Sequence, residues 1–389
     1  MLQVNDLSLQ FGQRKLFEEV NIKFTKGNCY GVIGANGAGK STFLKILSGD
    51  IEPTHGNVSI GKGERMSVLQ QNQNAYDDLT VLQTVLKGHS RMYEIMIQKE
   101  ALYAKEDFTE EDGILASELE GEFAELGGWE AESEAETLLN ELKIDNSLNN
   151  TLMADLDAKT KVKVLLAQAL FGNPDILILD EPTNNLDAKT TRWLENYLMD
   201  FENTIIIVSH NRHFLNRVCT HICDVDFGHI NVFVGNYDFW YETSQLLARQ
   251  AREQNKKAEA RAKELQEFIA KFSANASKSR QATSRKKELE KLTLNDIKPS
   301  MRKYPFVDFK YEREIGREIL KVENLTKKGY FENVSFMVKA DEKIAFLADK
   351  STTITMLFDI LMGEESADSG TIEWGKTIIP SYLPENNYK

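Results

Sequence analysis

The chain has 389 residues, more than one ordinary hydrophobic core encloses, so two or more domains are expected. With 41% hydrophobic and 28% charged residues it has the balance of a soluble globular protein, and no apolar run approaches the ~18 residues that a bilayer span needs. A net charge of −13 excludes a surface that is basic throughout, but charge can be segregated along a chain, so a local basic patch remains open.

The opening Met1-Leu2-Gln3-Val4-Asn5-Asp6 has neither the basic nor the apolar region of a signal peptide. Cys29–Ile33 predicts a buried strand, and Gly39–Leu47 opens a helix. Between them Gly34-Ala35-Asn36-Gly37-Ala38-Gly39-Lys40-Ser41 fits the P-loop pattern in full. Its glycines let backbone N–H groups turn inward around phosphate oxygens, and the helix beginning there adds its positive end. Lys40 is then expected on the β- and γ-phosphates and the Ser41 hydroxyl on Mg²⁺. From Glu100 to Glu141 the chain holds fifteen acids and one base, Lys105, which suits a protein-facing or solvated surface. Ile176-Leu177-Ile178-Leu179 predicts a second buried strand; it ends in Asp180, placed to hold Mg²⁺, and Glu181, placed to polarise an attacking water. Thr204–Ser209 predicts a third strand, and strands alternating with helices imply an α/β fold with a largely parallel sheet.

Three cysteines, Cys29, Cys219 and Cys223, fit a reducing, cytoplasmic setting. His210, His213, Cys219, His221 and Cys223 crowd together, but the alternation over Cys219–Cys223 reads as a half-buried strand in preference to a zinc site. Thr243 to about Ala270 lacks Gly and Pro and is rich in Ala, Glu, Lys and Gln, which predicts one long helix. A second helix is expected after Gln281. Tyr241 to Ser300 carries 14 basic against 8 acidic residues, and Lys271 to Lys287 holds six bases and no acid.

The chain also repeats itself. Leu16–Gln71 aligns without a gap onto Tyr330–Glu385, matching Phe17, Glu18 and Val20 to Phe331, Glu332 and Val334, and Gly49 and Gly56 to Gly363 and Gly370. Upstream, Leu2-x-Val4 matches Leu320-x-Val322 after a four-residue deletion. A complete first unit, a helical bridge and the opening of a second unit are therefore expected.

Glu181-Pro182-Thr183-Asn184-Asn185-Leu186-Asp187 resembles the Walker B extension and D-loop of ABC-type ATPases in the form typical of the ABC-F family. The bridge segment Phe272–Gln281 is similar to the interdomain linker of its YbiT-like branch. The resemblance implies a P-loop NTPase (ABC ATPase) cassette over residues 1–243 with an arm-like acidic insertion within 85–142, a helical-hairpin linker over 244–310, and a partial, degenerate second ABC cassette over 311–389. It implies ATP and Mg²⁺ held by Phe11 (against adenine), Gly34, Asn36, Gly37, Gly39, Lys40, Ser41, Thr42, Gln71 and Asp180, with Ser41, Gln71 and Asp180 around the metal. Glu181 and His210 would be catalytic, His210 at the γ-phosphate. The family also implies a cytoplasmic translation factor on the ribosome, contacting rRNA and peptidyl-tRNA through the linker. Lys278, Arg280, Arg285, Lys286 and Lys287 are the candidate RNA contacts, since basic residues without acids suit a phosphate backbone. No membrane subunit is expected; ATP-dependent pairing of cassettes, within or between chains, is.

Two departures bear on turnover. The family's signature loop reads close to Leu-Ser-Gly-Gly-Gln, but here the position reads Leu156-Asp157-Ala158-Lys159-Thr160. In the second copy Gly34, Gly39, Lys40 and Ser41 correspond to Ala348, Thr353, Ile354 and Thr355, and Gln71 to Glu385. The resemblance places these two losses in one composite site. The intact P-loop would need a second signature loop, and the sequence reaches Lys389 before one. Slow hydrolysis at one site is expected; the alternatives are a nucleotide-dependent binding module without turnover and, less favoured, a transporter ATP-binding subunit.

Overall fold

The computed structural model describes residues 1–12, 14–184, 186–272, 284–287, 289, 316–348 and 350–384. The chain divides into two compact units, Met1–Lys303 and Tyr304–Lys389.

The strands of the first unit are β1 (Leu2–Phe11), β2 (Arg14–Phe24), β3 (Cys29–Gly34), β4 (His55–Ile60), β5 (Met66–Val68), β6 (Ile176–Asp180), β7 (Thr204–Val208), β8 (His221–Asp226) and β9 (His229–Val234). Its helices are α1 (Lys40–Leu47), α2 (Val81–Leu86), α3 (Ser90–Tyr103), α4 (Glu110–Glu125), α5 (Ala131–Glu141), α6 (Ala158–Leu170), α7 (Ala188–Met199), α8 (Arg212–Val218) and α9 (Tyr237–Phe272). A six-stranded sheet runs β5-β6-β7-β3-β8-β9, parallel except for the β8–β9 pair, and an antiparallel sheet runs β2-β1-β4.

The apolar runs read from the sequence are the central strands, and both their faces are covered, as parallel sheets require. Ile176, Ile178, Ile206, Val208, Tyr30 and Val32 face the antiparallel sheet and α1. Leu177, Leu179, Ile205, Ile207 and Ile33 face the opposite way, into the core shared with the helices from α2 to α8. The acidic stretch forms α3, α4 and α5, which bury one narrow apolar stripe, Ala116, Leu119 and Phe123 on α4 among others, and keep their carboxylates in water.

Two boundaries differ from expectation. The long helix begins at Tyr237 instead of Thr243, because Trp240 is buried, with its Nε1 donating to Asp224 Oδ2 at 3.1 Å, and Asn236 Oδ1 accepts the Phe239 N–H at 3.1 Å. The strand expected over Cys219–Cys223 begins only at His221: Cys219 caps the end of α8, and the Thr220 side chain is engaged with the backbone of Cys29. Among the described residues no helix is long and apolar enough to cross a membrane. Of the linker bases, Arg285, Lys286 and Lys287 lie exposed on a helical stretch, whereas Lys278 and Arg280 lie outside the described residues, as does Glu385.

The second unit contains β10 (Glu318–Lys327), β11 (Phe331–Lys339), a helix Ser351–Met362 and β12 (Ser369–Trp374), with sheet order β11-β10-β12. Its pairing reproduces the first unit residue by residue. Leu2 faces Ile60 and Val4 faces Val58, just as Leu320 faces Trp374 and Val322 faces Ile372. Left-handed residues recur at matched places, Asp6 with Asn324, Glu19 with Asn333 and Gly56 with Gly370. At Gly56 (φ 83°) an added Cβ would press on the backbone carbonyls of Asn5 and Asp6, so this turn demands glycine on two counts. Gly56→Ala is expected to lower the unfolding free energy by about 2–4 kcal/mol, the range of strained or overpacked positions. Urea unfolding followed by circular dichroism measures it, and a shift under about 0.5 kcal/mol, the size of an ordinary surface change, would contradict the steric argument.

Candidate functional site

The order β5-β6-β7-β3 brings the ends of four strands side by side. Their following residues are Gln71 after β5, Asp180 and Glu181 after β6, Ser209 and His210 after β7, and the Gly-rich loop after β3. Ligands of open α/β sheets bind at this carboxyl edge. A cleft of about 300 Å³ opens there, lined by Asn36, Gly37, Gly39, Lys40, Ser41, Thr42, Asp180, Glu181, Val208 and His210.

The loop folds back on itself through Ala38 N–H to Ala35 O at 3.1 Å, and Gly37 and Gly39 take the left-handed φ values of 76° and 102°. Gly39 is the N-cap of α1, which has no side-chain cap and no acid in its first turn. An uncapped helix start without a competing carboxylate suits an anion. Lys40 is buried, and its Nζ donates to Gly34 O and Ala35 O, each at 3.1 Å, so the ammonium lies inside the loop's curve. The loop thus fits a phosphate chain, and the oxygens of Ser41 and Asp180 on the same cleft are the hard donors a magnesium ion takes.

Gln71 is not among the cleft-lining residues but reaches one of them: its Nε2 donates to Asp180 Oδ2 at 2.6 Å. Glu181 adopts φ 51°, a conformation costing a non-glycine residue roughly 1–3 kcal/mol. The surroundings hold it there: Glu181 N–H donates to Val208 O at 2.8 Å, and its own carbonyl accepts from Asn184 N at 3.1 Å. Glu181 Oε2 accepts the His210 backbone N–H at 3.2 Å, and His210 Nε2 stands 3.4 Å from Oε1. That second contact is in ion-pair range without hydrogen-bond alignment, since Oε1 is buried and has no donor among the described residues. Burial pushes the Glu181 carboxyl above the usual carboxylate range, with Asp180 adding to it, while the His210 amide, the His210 ring and Lys40 pull the other way. A half-buried carboxylate whose proton affinity is raised by burial is suited to take a proton.

Phe11 is not among the cleft-lining residues; it sits at the tip of the β1–β2 hairpin with 56% of its surface exposed. At the degenerate signature position Asp157 is the N-cap of α6, its carboxylate accepting the Thr160 N–H at 3.3 Å. A carboxylate already occupies the helix's positive end, so a phosphate would meet repulsion there. In the second unit the helix begins at Ser351, whereas the position matching Lys40 is Ile354. Residues matching the turning glycines Gly37 and Gly39 are therefore wound into the helix.

Two cations outside the sequence-predicted set organise this edge. Arg14 Nη2 donates to Gly37 O at 3.0 Å. Buried Lys161 on α6 binds Asp77 at 2.5 Å and Asn74 at 3.1 Å, tying the segment after Gln71 to the helix behind the signature position. At the opposite edge of the sheet, just before β5, the guanidinium of Arg65 donates to Gly88 O at 3.0 Å and to the carbonyls of Phe171 and Gly172. No local motif marks any of them, because each partner is distant in sequence.

The raised Glu181 carboxyl predicts a pH signature. A folded-state pKa above the unfolded one contributes stability that is complete below the unfolded pKa and is lost as pH rises through the folded one. Ionised Glu181 therefore destabilises the fold at neutral pH, and Glu181→Gln keeps the acceptor for His210 without the charge. The variant is expected to melt above the parent chain at pH 7–8, with the gap closing as pH falls through the carboxylate range. Melting curves across pH measure this, and a gap that widens toward acid would contradict it.

Comparison with known proteins agrees with this architecture. A family model described as ABC transporter matches residues 17–184, and a second of the same description matches residues 223–309. The chain is 60% identical to the uncharacterised ABC transporter ATP-binding protein YkpA of Bacillus subtilis, over all of this chain and 72% of that protein. It is 45% identical to the probable ATP-binding protein YbiT of Escherichia coli O157:H7, over all of this chain and 74% of that one. The energy-dependent translational throttle protein EttA of Mycobacterium tuberculosis is 28% identical over 96% of this chain and 67% of its own length. The chain belongs to the ABC-F family of ATP-binding cassette ATPases, which bind ATP with Mg²⁺.

Proposed function

We propose that this chain hydrolyses ATP slowly at its first cassette and uses that nucleotide cycle on the ribosome, in the cytoplasm, with the basic part of its linker toward RNA. The observation that carries the catalytic half is the convergence of Lys40, Ser41, Asp180, Glu181 and His210 on one cleft at the sheet's carboxyl edge. Lys40 and the inward-turned loop hold the phosphates, Ser41, Asp180 and Gln71 surround the metal, and Phe11 takes the adenine. Magnesium supplies charge neutralisation on the phosphate oxygens. Glu181 accepts the proton of the attacking water, and His210, held beside it, orients toward the transferred group. The organisation proposed is a first cassette over 1–243, a linker over 244–310 and a degenerate cassette over 311–389.

Turnover is slow because one site alone remains: the resemblance places the Asp157-capped helix and the helix-wound segment before Ile354, which have lost phosphate-binding geometry, together in the other composite site. The same features favour the second reading, a binding module in which ATP fixes a shape. Single-turnover hydrolysis separates the two. The parent chain is expected to exceed Glu181→Gln by about 100-fold or more, as for loss of a general base, with ATP affinity retained; equal, negligible rates would leave the binding module.

The ribosomal half is supported by membership of the ABC-F family, by the relative named a translational throttle, and by the exposed bases Arg285, Lys286 and Lys287. Co-sedimentation with ribosomes is expected to require ATP and to weaken on charge reversal at Arg280, Arg285 and Lys286, with the gap between parent and variant narrowing as salt rises. Pelleting that is indifferent to ATP and to these charges would remove the translation reading while leaving the ATPase intact.

A further inference from the structure

The β1–β2 hairpin ends in a cross-strand pair, Phe11 opposite Arg14. The aromatic ring stands exposed at the tip, and the guanidinium reaches across to the Gly-rich loop, with Nη2 on Gly37 O at 3.0 Å. One hairpin therefore carries both an aromatic face and a cation beside the phosphate loop. The neighbouring Lys15 is neutralised by Glu18 at 2.6 Å, but among the described residues Arg14 has no carboxylate partner. Its acceptor is a neutral carbonyl at an exposed position.

We propose that Arg14 is a second phosphate-binding cation of the ATP site, its guanidinium contacting the phosphate chain from the hairpin side while Lys40 holds it from within the loop. The proposal rests on the nucleotide reading of the cleft. A guanidinium presents several N–H donors in a planar fork, so it can serve a carbonyl and an anion together or exchange one for the other. The exchange favours phosphate, because a hydrogen bond between two charged groups is stronger than one to a neutral carbonyl. The alternative role is mechanical: Arg14 merely clamps Gly37. An amide side chain can do that as well, whereas only a cation attracts the triphosphate.

The test uses the full chain and displacement of a fluorescent ATP analogue by ATP and by inorganic pyrophosphate, with the parent, Arg14→Lys, Arg14→Gln and Phe11→Ala. Arg14→Gln is expected to weaken both ligands about tenfold, about 1.4 kcal/mol, with the deficit shrinking as salt is raised. Arg14→Lys retains most of the affinity. Phe11→Ala weakens ATP and leaves pyrophosphate unchanged, since pyrophosphate has no base to stack. Parental affinity in Arg14→Gln, or a loss that salt does not alter and that comes with a lower melting temperature without nucleotide, would overturn the proposal in favour of a clamp. Failure of the parent chain itself to bind ATP would instead sink the nucleotide reading on which the proposal rests.

Discussion

The parallel pairing of β6, β7 and β3 is the constraint on which the cleft depends. Val208 at the end of β7 is registered with Asp180 on one side and Val32 on the other. Its carbonyl also takes the Glu181 N–H, which carries the pairing one residue past the strand and turns that residue left-handed. Three chain segments far apart in sequence thereby end at one level. Shifting β6 by one residue would swap Ile176 and Ile178 for Leu177 and Leu179 between two dissimilar cores, so burial on both faces fixes the register.

Within that frame the site balances charge across a short gap. Two carboxylates, Asp180 and Glu181, stand at the end of β6, and buried Lys40 and the uncapped start of α1 line the same cleft. Each carboxylate has a different fixed neighbour: Gln71 holds Asp180, and the His210 amide holds one oxygen of Glu181. Two adjacent acids in unlike surroundings suit the unlike tasks proposed for them, one as a ligand and one as a proton acceptor.

The two copies of the antiparallel sheet show that scaffold and site are separable. The second copy keeps strand order, register and left-handed turns, yet its helix starts early and winds up the residues that would wrap a phosphate. Sheet pairing needs only apolar residues at alternate positions and residues that accept a left-handed backbone at the turns, which Asp6, Glu19 and Gly56 do in one copy and Asn324, Asn333 and Gly370 in the other. A phosphate loop needs glycine at particular positions and an ammonium, and substitutions there leave the sheet untouched.

The sequence alone determined the elements whose physics is local: the buried strands from their continuous apolar runs, the P-loop from its glycine spacing, the long helix from its composition, and the repeat from its constant offset. It also placed Asp180 and Glu181 at a strand end. Where those ends meet was decided only by tertiary structure, because strand order rests on contacts between residues more than a hundred positions apart, as between Gln71 and Asp180. The same holds for Arg14 on Gly37 and Lys161 on Asp77, whose partners no periodicity announces. The start of α9 at Tyr237 and the capping of α6 by Asp157 were likewise settled in three dimensions, the first by burial of Trp240 against Asp224. Short-range patterns specify what a segment can become; which side chains then share a cleft depends on packing that brings distant segments together.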